Sequence, residues 1–268
     1  MIKSLFAIAS LSLLPTLSFA ATSADDLPCE STEDNCTFVL LKPNGELVTH
    51  NTVQANKRLS PYSTFKIPNS LIALDTGAAK SLEETFVSDT NTYPPENWWP
   101  SIWTAQSHNL PSAYKYSVLP IYRELAIKIG EKAMQEYVTA FNYGNQDISS
   151  EQDSFWLGSS IEITAVEQVK FLQKLFTQKL PLKASTYAQL ETLMFNDKGD
   201  DYTVFAKTGY GPIGNKTNVG WFVGAVEKDG EHYYFASNVT GKVFRKVTKA
   251  RIENAKRYLA HYDIAYTK

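Results

Sequence analysis

The sequence predicts an α+β fold in three layers, αβα, whose middle layer is an antiparallel sheet built from strands at both ends of the chain. Three observations predict it. Apolar residues alternate with period two near residue 40 and again beyond residue 202, while the stretch between runs at helical period. At 268 residues, 43% hydrophobic and 20% charged, the chain can bury a sizeable core and is not disordered. No internal repeat, low-complexity linker or shift in composition marks a boundary, so residues 21–268 read as one domain with a mostly helical insertion at about 78–200.

The elements follow in order. Lys3, the apolar run Leu5–Leu14 and the small residues Ser18 and Ala20 predict a secretory signal over 1–20, cut after Ala20; an uncleaved anchor is the alternative. No Cys follows the cut, so no lipid anchor is suggested. Thr37–Leu41 is β-branched and apolar, Asn44-Gly45 signals a hairpin, and Glu46–His50 alternates as the return strand. Ser63–Leu74 reads as a helix that Gly77 can cap. Residues 81–116 carry Pro, Asn and Trp without clean period and read as loop with short helices. Leu119–Phe141 reads as one helix, with Ile121, Leu125, Ile129 and Ala133 on one face. Thr164–Thr177 begins with a Thr164/Glu167 capping box, and Leu182–Met194 is the next helix. Period two then returns in Tyr202–Ala206, Val219–Glu227 and His232–Val239, with Asp229-Gly230 as a turn. Val247–His261 closes the chain as a helix with Ile252, Ala255 and Leu259 in phase.

Several function classes drop out at this level. A formal charge of −2 lacks the basic face of a nucleic-acid binder. No later stretch reaches 18 apolar residues, so no membrane span is expected once the signal is removed. The four histidines, His50, His108, His232 and His261, are far apart and form no metal-ligand spacing. Export would put Cys29 and Cys36 in an oxidising compartment, where they are expected to pair; two free thiols are the alternative.

Three motifs carry chemistry. Ser63-Thr64-Phe65-Lys66 places a hydroxyl and an amine three residues apart on one helix face, so an uncharged or modified Lys66 can take the Ser63 proton. An S-x-x-K match is weak alone, since ordinary usage gives about one per chain of this length. Ser112-Ala113-Tyr114-Lys115 also matches, in a segment that shows no helix of its own. Lys207-Thr208-Gly209, at a strand end, offers a charge, a hydroxyl and a residue that lets a ligand lie against the backbone. Ser117-Val118-Leu119 and Tyr143-Gly144-Asn145 read in isolation as a helix start and a turn.

Taken together and in this order, these motifs resemble the class D serine β-lactamases, the oxacillinases. Phe155-Trp156-Leu157, Gly220-Trp221-Phe222-Val223-Gly224 and Phe244-Arg245-Lys246 are also similar to the family, so the resemblance covers essentially the whole mature chain. One departure is Leu119, where the family usually has Val. Ser117-Val118-Leu119 lacks the Asn that other serine β-lactamases and many penicillin-binding proteins carry in that motif.

The resemblance implies a fold like that of the serine β-lactamases and penicillin-binding transpeptidases. It implies Ser63 as nucleophile toward the lactam of penicillin-type antibiotics, and Lys66 carboxylated by CO2 as general base. No other cofactor and no metal is implied. Phe65, Leu119, Trp156 and Leu157 would wall an apolar pocket that keeps the amine neutral, and the Trp156 N–H would donate to the carbamate. Ser117 would relay a proton to the lactam nitrogen. The N–H groups of Ser63 and Tyr210 would form an oxyanion hole. Thr208, Gly209 and Arg245 would seat the substrate carboxylate with Lys207 adding positive field, and Leu119 would line the cleft. Trp98, Trp99, Trp103 and Leu110 would sit at its rim. The expected protein is a periplasmic monomer or homodimer that binds a small β-lactam. A penicillin-binding sensor that does not turn the drug over, a D,D-peptidase and a non-catalytic exported binding module are the rival readings.

Overall fold

The computed structural model describes Leu27 and residues 35–267. The predicted signal at 1–20 and Cys29 lie outside the described residues. Strands β1 (Asn35–Leu41), β2 (Leu47–His50), β3 (Phe195–Lys198), β4 (Tyr202–Ile213), β5 (Thr217–Lys228) and β6 (Glu231–Gly241) form one antiparallel sheet in the order β2-β1-β6-β5-β4-β3. Strand β1 therefore pairs with the last strand, Phe38 opposite Ser237 and Leu40 opposite Phe235.

Both faces of the sheet are covered, which explains why its central strands are nearly continuous apolar runs. Val39, Leu41, Trp221, Val223 and Ala236 face the larger core, shared with the helices that precede β3. Phe38, Leu40, Phe222, Val226 and Phe235 face a second core closed by α10 (Phe244–His261) through Ala255, Tyr258 and Leu259. The result is the α+β, αβα arrangement expected from the pattern. No described helix is long and apolar enough to cross a membrane, and the described residues hold no group of three or more His, Cys, Asp or Glu placed to bind a metal ion.

The remaining helices run between β2 and β3: α1 (Thr52–Ala55), α2 (Lys66–Thr76), α3 (Ile102–Ala105), α4 (Leu110–Lys115), α5 (Leu119–Ile129), α6 (Glu131–Phe141), α7 (Ala165–Phe176), α8 (Ala184–Tyr187) and α9 (Leu190–Met194). The Thr164/Glu167 capping box opens α7 as its sequence predicts. Four expectations need correction. The helix expected from Ser63 is a 3-10 turn, Tyr62–Phe65, that passes into α2 at Lys66. The single helix expected over 119–141 is two, because Gly130 takes φ 83 and ψ 149, outside any helix. The stretch 182–194 holds two short helices and leads directly into a strand, β3. Strand β4 does not end before Lys207 but runs on to Ile213, paired with β5 throughout.

Candidate active site

The site lies where three segments meet: the 3-10 turn before α2, the turn between α4 and α5, and the middle of β4. Pro61 starts the first, at φ −69, and Tyr62 follows at φ 48, a conformation that bulky residues rarely adopt. The surroundings hold it there. The Tyr62 N–H donates to the Trp156 carbonyl at 3.0 Å, and its hydroxyl donates to the Pro212 carbonyl. Ser60 Oγ donates to the same Trp156 carbonyl at 2.9 Å, and Trp221 Nε1 donates to the Ser60 carbonyl at 3.0 Å. Thr64 is fixed in turn by Gln168 of α7, Nε2 to Oγ1 at 3.0 Å. The turn thus presents Ser63, partly exposed, from a rigid base.

Lys66 opens α2 and turns back toward the turn. Its Nζ lies 3.2 Å from Ser63 Oγ and 4.9 Å from the centre of the Tyr122 ring. The side chain is only 1% exposed, and burial pushes its pKa down to about 7, so near neutrality much of it is the free amine. Phe65 stacks on the Trp156 indole at 5.5 Å, and Phe155 meets both rings edge-on. Leu119 and Leu157 are half-buried against the same core. Trp156 is fully buried, yet its Nε1 has no hydrogen-bond partner among the described residues. A sealed indole N–H without an acceptor is costly, and it fits a group that would supply one.

The Tyr-Gly-Asn motif lies outside the Ser63–Lys66 pair and supports it from behind. Asn145 donates from Nδ2 to the Ser160 carbonyl at 2.9 Å, and its Oδ1 accepts from the Glu162 N–H at 3.0 Å. Tyr143 packs edge-on against Phe65 at 5.5 Å. The motif closes the loop that carries Trp156 and braces the turn that carries Ser63.

Ser117 sits in the second segment at φ 55, another non-glycine in the left-handed region. Lys207 of β4 donates from Nζ to Ser117 Oγ at 2.5 Å and to the Thr208 carbonyl at 3.1 Å, and its Nζ stands 5.5 Å from the Tyr114 ring centre. Lys207 is 3% exposed. Burial, then the charges of Lys66 and Arg251, push its pKa well below the ordinary lysine value. Gly209 lets β4 press against the turn that carries Ser63: a Cβ there would stand 2.7 Å from the Pro61 carbonyl oxygen and 3.1 Å from Thr64 Cγ2. Thr208 is half-buried beside it, and Tyr210 donates its hydroxyl to Asn218 Oδ1 at 2.8 Å.

The structure therefore brings Ser63, Lys66, Ser117, Lys207 and Gly209 into one cluster, with Trp156 stacked behind Phe65. It does not bring Arg245 onto them. Arg245 is exposed in the first turn of α10, and its side chain makes no hydrogen bond or ion pair with them; its neighbour Phe244 meets Tyr210 edge-on at 4.8 Å. The second S-x-x-K match is corrected too. Ser112 lies inside α4, where its Oγ accepts from the Asn109 N–H in a capping box, and Lys115 points to solvent. Trp98, Trp99 and Trp103 form an aromatic cluster with ring centres 5.3–6.2 Å apart, and Trp103 Nε1 donates to the carbonyl of Tyr116, next to Ser117. Leu110 is fully buried and starts α4 rather than forming a rim. Cys36 is 3% exposed and is not a free thiol.

Sequence reasoning missed Tyr114, Tyr122 and Arg251. The two tyrosine rings lie beside the buried amines in place of carboxylates. Arg251 donates from Nη1 to the Gly209 carbonyl at 2.5 Å. Spacing could have flagged Tyr122, five residues beyond Ser117 on the apolar face of α5. Nothing in the sequence distinguishes Arg251 from the other basic residues of α10.

Chemically, the arrangement offers a hydroxyl beside an amine that is in good part neutral near pH 7, a second hydroxyl beside another buried lysine, and no acidic side chain among them. That combination suits attack on a carbonyl of an anionic substrate. Comparison with known proteins points the same way. Residues 36–259 match the family model described as the penicillin binding protein transpeptidase domain. The chain is 43% identical over 191 residues to β-lactamase OXA-48 of Klebsiella pneumoniae, covering 71% of this chain and 69% of that protein. It is 36% identical over 208 residues to β-lactamase OXA-10 of Pseudomonas aeruginosa, covering 76% of each. Among solved structures it superposes on FUS-1 (OXA-85), a class D β-lactamase from Fusobacterium nucleatum subsp. polymorphum, with a TM-score of 0.79 and 35% identity over 86% of this chain and 93% of that one.

Proposed function

Since the chain belongs to the class D β-lactamases, which are hydrolases, we propose that it opens the β-lactam amide of penicillin-type antibiotics through an acyl-enzyme on Ser63, with a carboxylated Lys66 as general base. The observation that carries this reading is the Ser63 Oγ–Lys66 Nζ distance of 3.2 Å at a buried amine whose pKa burial pushes down to about 7. Carboxylation requires a neutral amine, and the unpartnered Nε1 of Trp156 fits a carbamate oxygen. Such a group, when formed, supplies an anionic oxygen base beside Ser63.

The chain's own residues do the rest. Ser63 Oγ gives up its proton to the base at Lys66 and bonds to the lactam carbonyl carbon. The N–H groups of Ser63 and Tyr210 hold the oxygen that gains charge, each such donor being worth about 2.7–4 kcal/mol. The C–N bond breaks, and Ser117, its hydroxyl held by Lys207 at 2.5 Å, hands a proton to the departing nitrogen and takes up in return the proton that Ser63 released. Water then releases the penicilloate and restores Ser63. Thr208 and Arg245 seat the substrate carboxylate, Lys207 supplies field, and Leu119 and Gly209 shape the cleft. The reading also includes export to the bacterial periplasm on the signal at 1–20 and a monomer or homodimer, which sequence supports, and a Cys29–Cys36 disulfide, which the bonded state of Cys36 also fits.

The test is steady-state hydrolysis of a chromogenic cephalosporin with and without added bicarbonate. Turnover stimulated by bicarbonate is expected. A single stoichiometric burst would support the sensor reading instead, and release of D-Ala from a D-Ala-D-Ala peptide would support the peptidase.

A further inference from the structure

Arg251 projects from the second turn of α10 across β5 and ends behind β4. Its side chain passes over Gly220, where a Cβ would stand 3.1 Å from Arg251 Cδ. Nη1 then donates to the Gly209 carbonyl at 2.5 Å. The guanidinium has no carboxylate partner among the described residues, and its Nε is sealed from solvent with no acceptor. A cation held in this way destabilises the fold relative to a solvated or paired one, so its position calls for an explanation other than stability.

The explanation lies in the peptide it touches. Gly209 and Tyr210 share one planar trans unit, so the Gly209 C=O and the Tyr210 N–H point in opposite directions. Gly209 stands opposite Trp221 of β5 and packs against Pro61 and Thr64 of the turn that carries Ser63; with Tyr210 read as an oxyanion donor, the carbonyl that Arg251 grips lies on the side of the peptide away from the substrate. A strong charged donor on the carbonyl fixes the plane of the unit. It also withdraws electron density through the amide and makes the N–H a stronger donor.

We propose that Arg251 is a positioning residue for acyl transfer: gripping the Gly209 carbonyl from behind, it aims and strengthens the Tyr210 N–H at the oxyanion. This rests on the acyl-enzyme reading above, with Tyr210 as one oxyanion donor. Arg251 touches neither substrate nor reacting atoms.

The experiment compares the full chain with Arg251→Met, which keeps the packing over Gly220, and Arg251→Lys, which keeps the charge with shorter reach. Single-turnover mixing with a chromogenic cephalosporin separates the acylation rate constant from binding of the intact drug. Infrared difference spectra of the acyl-enzyme with a slow substrate report the ester carbonyl stretch, which falls as oxyanion donors strengthen. Arg251→Met is expected to lower the acylation rate constant about tenfold, short of the ~10²–10³ lost with an oxyanion donor itself. Binding should hold, and the carbonyl stretch should rise. Arg251→Lys should fall between the two in both readouts, and it decides the matter alone if the Met variant does not fold. An unchanged stretch and acylation rate in either folded variant, or a loss confined to binding that Lys fully restores, would overturn the inference while leaving the acyl-enzyme reading intact. Absence of any Ser63 adduct in the parent would overturn both.

Discussion

Substituting Gly209 by Ala adds one methyl group where two active-site segments press together. The new Cβ would stand 2.7 Å from the Pro61 carbonyl oxygen, about 0.7 Å inside the 3.4 Å of ordinary contact, and 3.1 Å and 3.3 Å from Thr64 Cγ2 and N. Two of these three neighbours are backbone atoms, and the turn cannot swing away freely. Its Tyr62 N–H is tied to Trp156, its Thr64 hydroxyl to Gln168, and the Ser60 carbonyl before it to Trp221. The strand and the turn must therefore part by roughly half an ångström or more, with Ser63 on one side of the gap and the Tyr210 N–H on the other. Overpacking of this kind costs about 1–3 kcal/mol of stability. At about 2–4 °C per kcal/mol for a domain of this size, the melting temperature should drop by several degrees. Catalysis should suffer more, because a misplacement approaching 1 Å costs about 10²-fold. The assay is kcat/KM on a chromogenic cephalosporin beside a thermal melt. A Gly209→Ala protein that keeps the parental rate and melting temperature would refute the claim that β4 and the turn that carries Ser63 are held at this separation.

Three further outcomes are expected. Ser63→Ala should fold normally and show no mass adduct with a slow substrate, whereas the parent gains one; an adduct that persists in the variant would place the nucleophile elsewhere. Trp156→Phe removes the unpartnered N–H while keeping most of the ring, so turnover should depend more steeply on added bicarbonate, and equal dependence in both proteins would count against the indole as a carbamate donor. Lys66 gives a pH signature in CO2-depleted buffer. Its amine is neutral in the fold above about pH 7 but protonated in the unfolded chain up to its ordinary value of about 10.4, so the unfolded state binds the extra proton and stability rises with pH across that window. The slope from this one group is about 1.4 kcal/mol per pH unit, vanishing below pH 7, and Lys66→Met should remove it; denaturant midpoints at pH 6, 7.5 and 9 would show an unaltered slope if the burial argument were wrong.

Much of this architecture could be read from the chain. The strands at both ends, the α7 capping box and the terminal helix all announce themselves locally, because each rests on period, cap or turn chemistry within a few residues. The S-x-x-K and Lys-Thr-Gly elements were legible as chemistry as well. What could not be read depends on contacts between distant segments. Gly209, Gly211 and Pro212 look like the end of a strand, yet β4 runs through them because β5 supplies partners as far as Thr217 and because the Pro61 carbonyl and the Tyr62 ring occupy the space side chains would need. Helical periodicity continues on both sides of Gly130 and conceals the break there. Ser112 looked helix-free because its segment is short, and only the Asn109 cap makes it a helix. Arg245 and Arg251 are indistinguishable as letters; the path over Gly220 to the Gly209 carbonyl exists only in three dimensions.

The placement of β1 beside β6 has a consequence for how the molecule comes into being. Asn35 and Thr240, bonded across these strands, are 205 positions apart, so the first strand waits for nearly the whole chain before its inner edge is satisfied. A nascent chain stalled before β6 would hold Phe38, Val39 and Leu40 with a hairpin partner on one side, an unpaired inner edge, and no α10 over the face that carries Phe38 and Leu40. Closing so long a loop is entropically expensive and makes the rate-limiting event a late, non-local one. Until then the exposed edge of β1 is open to pairing with another copy, which makes prompt release of the complete polypeptide, rather than the stability of the finished enzyme, the step most vulnerable to aggregation.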